Sequence, residues 1–265
     1  MVMSTNEYIF NQSKDQSELE RLQLLESIFD PHTIDLLKKT GGFAGKHCLE
    51  VGAGAGSIMR WLSDEVGVEG QVTAVDLNDR FLKDNPANVE VMVGDIQEMK
   101  LPAQSFDLIH VRYVLIHIPE GCYLIEKLWK LLKPGGHLVI EEPDFSIRKP
   151  IVSSLKETFQ GFQNIHLACD HLFFDGEMDA GFGTSMISWI QELIPHSIEV
   201  VNNSPVTQGG TDLARMMNLS AQQLKAAYLS TGKVTEADFE LYRKFTEDPL
   251  SWAIYYATIG VIAQH

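Results

Sequence analysis

The residues with the most chemistry in their spacing are Glu50-Val51-Gly52-Ala53-Gly54-Ala55-Gly56-Ser57, where an apolar run breaks into three alternate glycines and restarts as an amphipathic segment. The pattern predicts a strand, a tight turn and a helix. Glycines here let the backbone take positive φ and remove the Cβ atoms that would hold a flat ligand away from the peptide plane. A dinucleotide fold wants its third glycine at position 57, to seat the helix under a pyrophosphate. Ser57 stands there instead. Glu50 sets a carboxylate near a helix N-terminus, which suits a cationic ligand better than a phosphate.

The elements that must position this turn follow from the chain on either side. Strand-like and helix-like segments alternate after position 46, which implies a parallel sheet with right-handed crossovers. The ligand site of such a sheet opens at the carboxyl ends of its strands. That rule brings Glu50, Gly52, Ala53 and Gly54, then Asp76 and Leu77, Asp95 and Ile96, Arg112, and finally Glu142 and Asp144 to one cleft.

Several landmarks in order resemble the class I S-adenosylmethionine-dependent methyltransferases, in the small-molecule branch that acts on natural products or quinones. The glycine turn resembles that family's first motif, Val72-Thr73-Ala74-Val75-Asp76 its second strand and Val93-Gly94-Asp95-Ile96 its adenine-side turn. Phe106-Asp107-Leu108-Ile109-His110 resembles the fourth strand, and Leu132-Lys133-Pro134-Gly135-Gly136-His137-Leu138-Val139-Ile140 the turn into the fifth. The resemblance implies an α/β fold: a Rossmann-like, seven-stranded, mostly parallel sheet with helices on both faces. An N-terminal helical lid and helical insertions after strands five and six complete it. It implies S-adenosyl-L-methionine as cofactor, released as S-adenosyl-L-homocysteine, with Asp76 on the ribose hydroxyls and Asp95 on the adenine amino group beside Ile96. Capping a helix or turn is the other role open to both acids. Arg112 either lines the methionine end of the cofactor or pairs with an acid as scaffold. Tyr8 and Gln12, in the segment ahead of the first helix, are lid candidates, with an ordinary packed tail as the alternative.

Catalytic expectations centre on His117, in Val114-Leu115-Ile116-His117-Ile118-Pro119-Glu120, which resembles a motif whose histidine faces the acceptor. Glu142 and Asp144, at the end of the neighbouring strand, are expected to orient the imidazole as a base. A helix cap or a filled polar gap is the plainer role for His117. His166 and His171 are its substitutes and, with Phe174 and Phe182, the candidates for acceptor binding. All four lie in an insertion, from about position 150 to 195, rich in aromatics, Met and Gly around 173–183.

Elsewhere the periodicity predicts an amphipathic helix over 15–29 and a second one starting at Pro31, then helices over 119–133, 213–229 and 235–245. Residues 197–203 and 252–263 are the expected sixth and seventh strands. The whole is expected to be a single domain: 1–45 N-terminal helices, 46–145 cofactor-binding core, 146–265 substrate-side helices and antiparallel edge strands.

Composition narrows the partners. The 265 residues hold 21 basic and 36 acidic side chains, a net charge of −15, which repels a phosphate backbone and argues against nucleic acid. The 3 cysteines form neither a zinc pattern nor a disulfide framework. With no apolar run of membrane length and no basic, apolar leader, the expectation is a cytoplasmic protein without a membrane span, a monomer or homodimer, binding no metal. The reaction expected is direct displacement of the sulfonium methyl by O, N or C of a small apolar or aromatic molecule. A protein of this fold that binds the cofactor as a regulator, or catalyses cyclisation or rearrangement, is the rival class; a nicotinamide oxidoreductase is disfavoured by Ser57.

Overall fold

The computed structural model describes residues 15–176 and 178–265. In chain order the strands are β1 (His47–Val51), β2 (Gln71–Asp76), β3 (Val89–Val93), β4 (Phe106–Arg112), β5 (Leu132–Asp144), β6 (Lys149–Val152), β7 (Ser197–Asn203), β8 (Thr207–Gln208), β9 (Trp252–Ile254) and β10 (Ala257–Gln264). The helices are α1 (Asp15–Lys38), α2 (Ser57–Val66), α3 (Gly121–Leu131), α4 (Lys156–Asp175), α5 (Phe182–Glu192), α6 (Asp212–Gln223), α7 (Lys225–Ser230) and α8 (Glu236–Glu247).

The 7-stranded sheet runs β3-β2-β1-β4-β5-β10-β7, parallel from β3 to β5, with β10 antiparallel to both of its neighbours. Its order reverses between β1 and β4, and the cleft opens at that switch point. Apolar runs in β1, β2 and β4 are buried nearly throughout, as strands covered on both faces must be. Cys48, Leu108 and Val139 face α2 and the end of α1, while Leu49, Ile109 and Ile140 face α3 and α5. A third apolar cluster joins Phe29 of α1 to α4, α6, α7, α8 and Tyr255-Tyr256.

Three boundaries differ from the periodicity. Helix α1 continues through Pro31 instead of restarting there. The proline forgoes one backbone bond, and the turn after it is held from outside, because Arg112 donates to Asp30 (2.8 Å) and Thr33 (2.7 Å). Strand β5 runs on to Asp144, so Glu142 and Asp144 lie inside the strand rather than beyond it. Trp252–Ile254 leaves the main sheet to pair between β6 and β8 in a 3-stranded sheet, and only Ala257–Gln264 returns as the seventh strand.

Helix α4 is seated on α8 through Gly161, where an added Cβ would stand 2.5 Å from the Leu241 Cβ and 3.1 Å from its backbone carbon. Neither atom is the free end of a side chain. Gly161→Ala should therefore lose about 1–3 kcal/mol by overpacking, despite the better helix propensity of alanine. Urea denaturation of the two proteins measures the difference; an equal or higher midpoint for the alanine variant would show that the helices separate freely.

Candidate active site

A cavity of about 320 Å³ opens where the glycine turn meets the ends of β2, β3 and β4, and runs beneath α4, α6, α7 and α8. Gly52 has φ +76°, and a Cβ there would fall 2.2 Å from Cγ2 of Val114. The turn after β1 is thus packed against the residues after β4, and only glycine fits. Gly54 N donates to Oδ2 of Asp76 (2.9 Å), and Asn78 N to its Oδ1 (3.2 Å). Burial raises the Asp76 pKa, opposed by these backbone donors. Asp95 closes its own turn by accepting from Gln97 N (2.8 Å). Gly52, Ala53, Gly54, Asp76, Leu77, Asp95 and Ile96 all line the one cavity, together with Glu50 and Arg112. Tyr8 and Gln12 lie outside the described residues.

Below this cleft the sheet holds a buried row of charges. Glu50 of β1 is the register partner of His110 on β4, and Arg112 that of Glu141 on β5, so all four project from one face toward α1. His110 Nδ1 lies 2.7 Å from Glu50 Oε2 and its Nε2 3.4 Å from Glu141 Oε2, with the imidazole fully buried. A neutral ring would turn a lone pair toward one of the carboxylates, so the geometry calls for the imidazolium. Burial works against that charge, but the two glutamates outweigh it and push the pKa up to about 9. Arg112 is held by Asp30 and Thr33 of α1 and also faces the cavity. The scaffold pairing weighed for it from the sequence is thus made, and the side chain faces the cavity as well.

The catalytic candidates separate. His117 lines the cavity at the end of a 3-10 turn, Leu115–His117. Burial, with the positive charge of Arg21 adding to it, brings its pKa down to about 4. Glu142 and Asp144 do not reach the cavity; they share the β5 face that meets α3 and α5, and Pro143 between them is the residue that lines it. The Glu142 carboxylate accepts from the amides of Val114 (2.9 Å), Leu115 (2.8 Å) and Ile116 (3.3 Å), closing the N-terminus of the turn that carries His117. Burial pushes its pKa up to about 7 against those three donors. Asp144 accepts from Ser146 and Thr184 and fastens the chain entering α5. The expected carboxylate–imidazole pairing is replaced by backbone caps, because β5 is longer than predicted and its side-chain parity carries both acids away.

Of the acceptor candidates, only His166 lines the cavity. Phe174 is 81 % exposed, and Phe182 is buried in the core beside Trp189. His171 and Phe174 are off the α4 stripe Ile165, His166, Cys169, Leu172, Phe173 that faces inward. That stripe was readable as a helical period around His166. Tyr113, Phe145, Tyr228, Tyr242 and Tyr256 also line the cavity and were not singled out, since they come from separate elements joined only in three dimensions. His110 and Glu141 had a signal of their own: ionisable residues that directly follow the apolar runs Leu108-Ile109 and Leu138-Val139-Ile140.

Residues 49–140 match the model of the methyltransferase domain family. They are a methyltransferase domain. With the sheet order and the cleft built on it, this makes the chain a Rossmann-like S-adenosylmethionine-dependent methyltransferase. The methyltransferase is 26% identical over 238 residues to methyltransferase str2 of Strobilurus tenacellus, an alignment that spans 81% of this chain and 82% of that one. Among solved structures it resembles Haemonchus contortus phosphoethanolamine N-methyltransferase 2, determined with phosphomonomethylethanolamine and S-adenosylhomocysteine, at TM-score 0.60 and 18% identity. That match covers 99% of this chain and 60% of the other, so the chain spans about three-fifths of its length. The same fold also carries the [4+2]-cyclase SpnF, at TM-score 0.50 and 17% identity over 88% of this chain and 80% of that one.

The buried row makes a stability prediction for the methyltransferase. His110→Leu leaves Glu50 and Glu141 with no cation between them, and should cost about 3–5 kcal/mol, read as a fall in denaturation midpoint at pH 7. Because the folded pKa lies above the unfolded one, the wild-type contribution is complete below the ordinary histidine value near 6.5 and is lost as pH rises through about 9. His110→Asn should lack that alkaline loss. A wild type and an asparagine variant with parallel pH–stability curves between pH 6 and 10 would mean that the ring is not charged.

Proposed function

We propose that this methyltransferase holds S-adenosyl-L-methionine against Gly52, Ala53, Gly54, Asp76, Leu77, Asp95 and Ile96, with Glu50 and Arg112 at its amino-acid end, and methylates O, N or C of a small apolar or aromatic molecule. The observation that carries the reading is one continuous cavity, with the glycine cradle and Asp76 at one end and a chamber of tyrosines, phenylalanines and methionines at the other. The residues present suit the group: Gly54 lines the cavity without a Cβ and its amide holds Asp76 (2.9 Å), and Glu50 offers a carboxylate to an ammonium. When bound, S-adenosylmethionine supplies an already activated methyl group. The chain's task is then alignment in a water-poor pocket, which is worth about 7–11 kcal/mol in well-oriented reactions.

His117 is the residue we assign to the acceptor side, as a neutral imidazole that takes a proton where the nucleophile must lose one. Glu142 serves it as a positioning residue, through the backbone of the turn it caps. The same reading takes the working protein to be a cytoplasmic monomer or homodimer acting on a small molecule; the net charge of −15 supports the exclusion of nucleic acid. Among the described residues no helix is long and apolar enough to cross a membrane, and no cluster of three His, Cys, Asp or Glu side chains is set to hold a metal.

The deciding experiment incubates the protein with S-adenosylmethionine and a panel of small aromatic acceptors, and follows S-adenosylhomocysteine and a product heavier by one methylene by mass spectrometry. Cofactor binding without S-adenosylhomocysteine formation would favour a regulator or a cyclisation catalyst. Asp76→Ala should weaken S-adenosylhomocysteine binding by about 1.5–3 kcal/mol, roughly ten- to 150-fold in calorimetric Kd. Wild-type affinity in that variant would place the cofactor elsewhere. His117→Ala should lower kcat about 10²-fold with cofactor Kd unchanged. The acid limb of the wild-type rate profile should fall near pH 4, below the ordinary histidine range, and vanish in the variant. Turnover within about threefold of wild type would return His117 to the scaffold.

A further inference from the structure

The charged side chains of the cavity come from one part of the chain. Every Asp, Glu, Lys or Arg that lines it lies in α1 or between positions 50 and 112. From Tyr113 onward, among the described residues, the lining contains none. Polar groups in this second half are hydroxyls, a thiol and two imidazoles, and several of them meet under α4. There His166 and Cys169 of α4 stand with Tyr228 of α7 and Tyr242 of α8. The Tyr228 hydroxyl lies beside the Cys169 thiol, which accepts from the Arg148 guanidinium (3.9 Å). His166 packs on Phe162 with ring centroids 4.1 Å apart and meets Tyr242 edge-on at 5.8 Å.

His166 is only 7% exposed, and its Nε2 is sealed from water without a hydrogen-bond partner. Burial, reinforced by the charge of Arg148, keeps the ring neutral, its pKa well below the ordinary value. Arg148 is not part of the lining; it is ion-paired to Asp170. An orphaned polar atom of this kind costs a folded protein on the order of 1–3 kcal/mol, which a ligand atom can recover. A neutral imidazole both donates and accepts, so it can meet a hydroxyl or a carbonyl. A carboxylate or phosphate would lose its hydration here and find the nearest cation, Arg148, behind Cys169 and already committed to Asp170, while an ammonium would find no acid in this part of the lining.

We propose that the corner formed by His166, Cys169, Tyr228 and Tyr242 is an anchoring subsite for an uncharged oxygen of the acceptor, remote from the atom that is methylated. The acceptor is then a neutral aromatic or apolar molecule bearing at least one hydroxyl or carbonyl besides its methylation site. This inference rests on the methyltransferase reading above and narrows its substrate class.

The test uses protein saturated with S-adenosylhomocysteine and four matched probes: 2,7-dihydroxynaphthalene, 2-naphthol, naphthalene and 6-hydroxy-2-naphthoate. Binding is read by thermal shift and calorimetry in wild type, His166→Phe and His166→Gln. The dihydroxy probe should bind wild type most tightly, the carboxylate least. His166→Phe should weaken the dihydroxy probe ~10-fold while leaving naphthalene unaffected or improved, and His166→Gln should restore part of the loss. Unchanged S-adenosylhomocysteine affinity in both variants shows that they are folded. Equal or tighter binding of the carboxylate, an undiminished dihydroxy probe in His166→Phe, or no binding of any probe overturns the subsite. Failure of the wild type to bind S-adenosylhomocysteine would instead overturn the methyltransferase reading itself.

Discussion

The placement of one buried imidazolium governs much of the rest. His110 stands at the centre of a parallel sheet, where a side chain is ordinarily Val, Ile or Leu, and its charge is tolerable only because carboxylates face both ring nitrogens. Each of those carboxylates has a second commitment. Glu50 also lines the cavity, and Glu141 stands beside Arg112, which reaches across to Asp30 and Thr33. The row therefore fixes α1 against the sheet by charge as well as by apolar packing. Where Gly260 of β10 faces that helix, a Cβ would come 2.7 Å from Leu36, so the helix lies close to the sheet there as well.

A second tie joins α1 to the cofactor turn. Glu26 accepts from Ser57 N (3.1 Å) at the N-terminus of α2, and burial raises its pKa against that bond. A helix terminus left open by the turn is thus filled by a carboxylate from another element. Leu22 lies 3.6 Å from where a Cβ on Gly54 would be. Helix α1 consequently forms one wall of the cavity. Its other end is tied to α6 by Arg215 with Glu20 and by Gln223 with Ser17 (2.8 Å).

What the sequence made legible follows the range of the interactions. The glycine turn, Asp76, Asp95 and the strand order depend on local spacing and on the rule that parallel strands open their ligand site at one end, and both are written in short segments. Glu142 and Asp144 were misplaced because their position depends on where β5 stops, and Pro143, a residue that ordinarily argues against a strand, sits inside it opposite Thr258. Strand parity then decides everything, since a shift of one residue exchanges the faces. Pro31 misled in the same way, as a helix-starting signal overridden by bonds from Arg112. The tyrosines of the cavity had no local signature at all.

Those tyrosines also explain how two differently built halves can share one cavity. The half proposed for the cofactor belongs to loops of the parallel sheet, whereas the half proposed for the acceptor rests on its own apolar cluster of α4, α6, α7 and α8. They join at Tyr113, held at φ +57°, where a non-glycine residue is costly. Its backbone N donates to Glu141 O (2.9 Å), its hydroxyl meets Thr258 Oγ1 (2.5 Å), and its ring packs edge-on against Phe29 and Tyr256. The strained residue is thus fixed by β5, β10 and α1 together, immediately after the strand end that carries Arg112. Side chains on α4, α7 and α8 can then vary to suit another acceptor while the turn, Asp76 and the buried charge row keep their geometry, because none of those residues is carried by α4, α7 or α8.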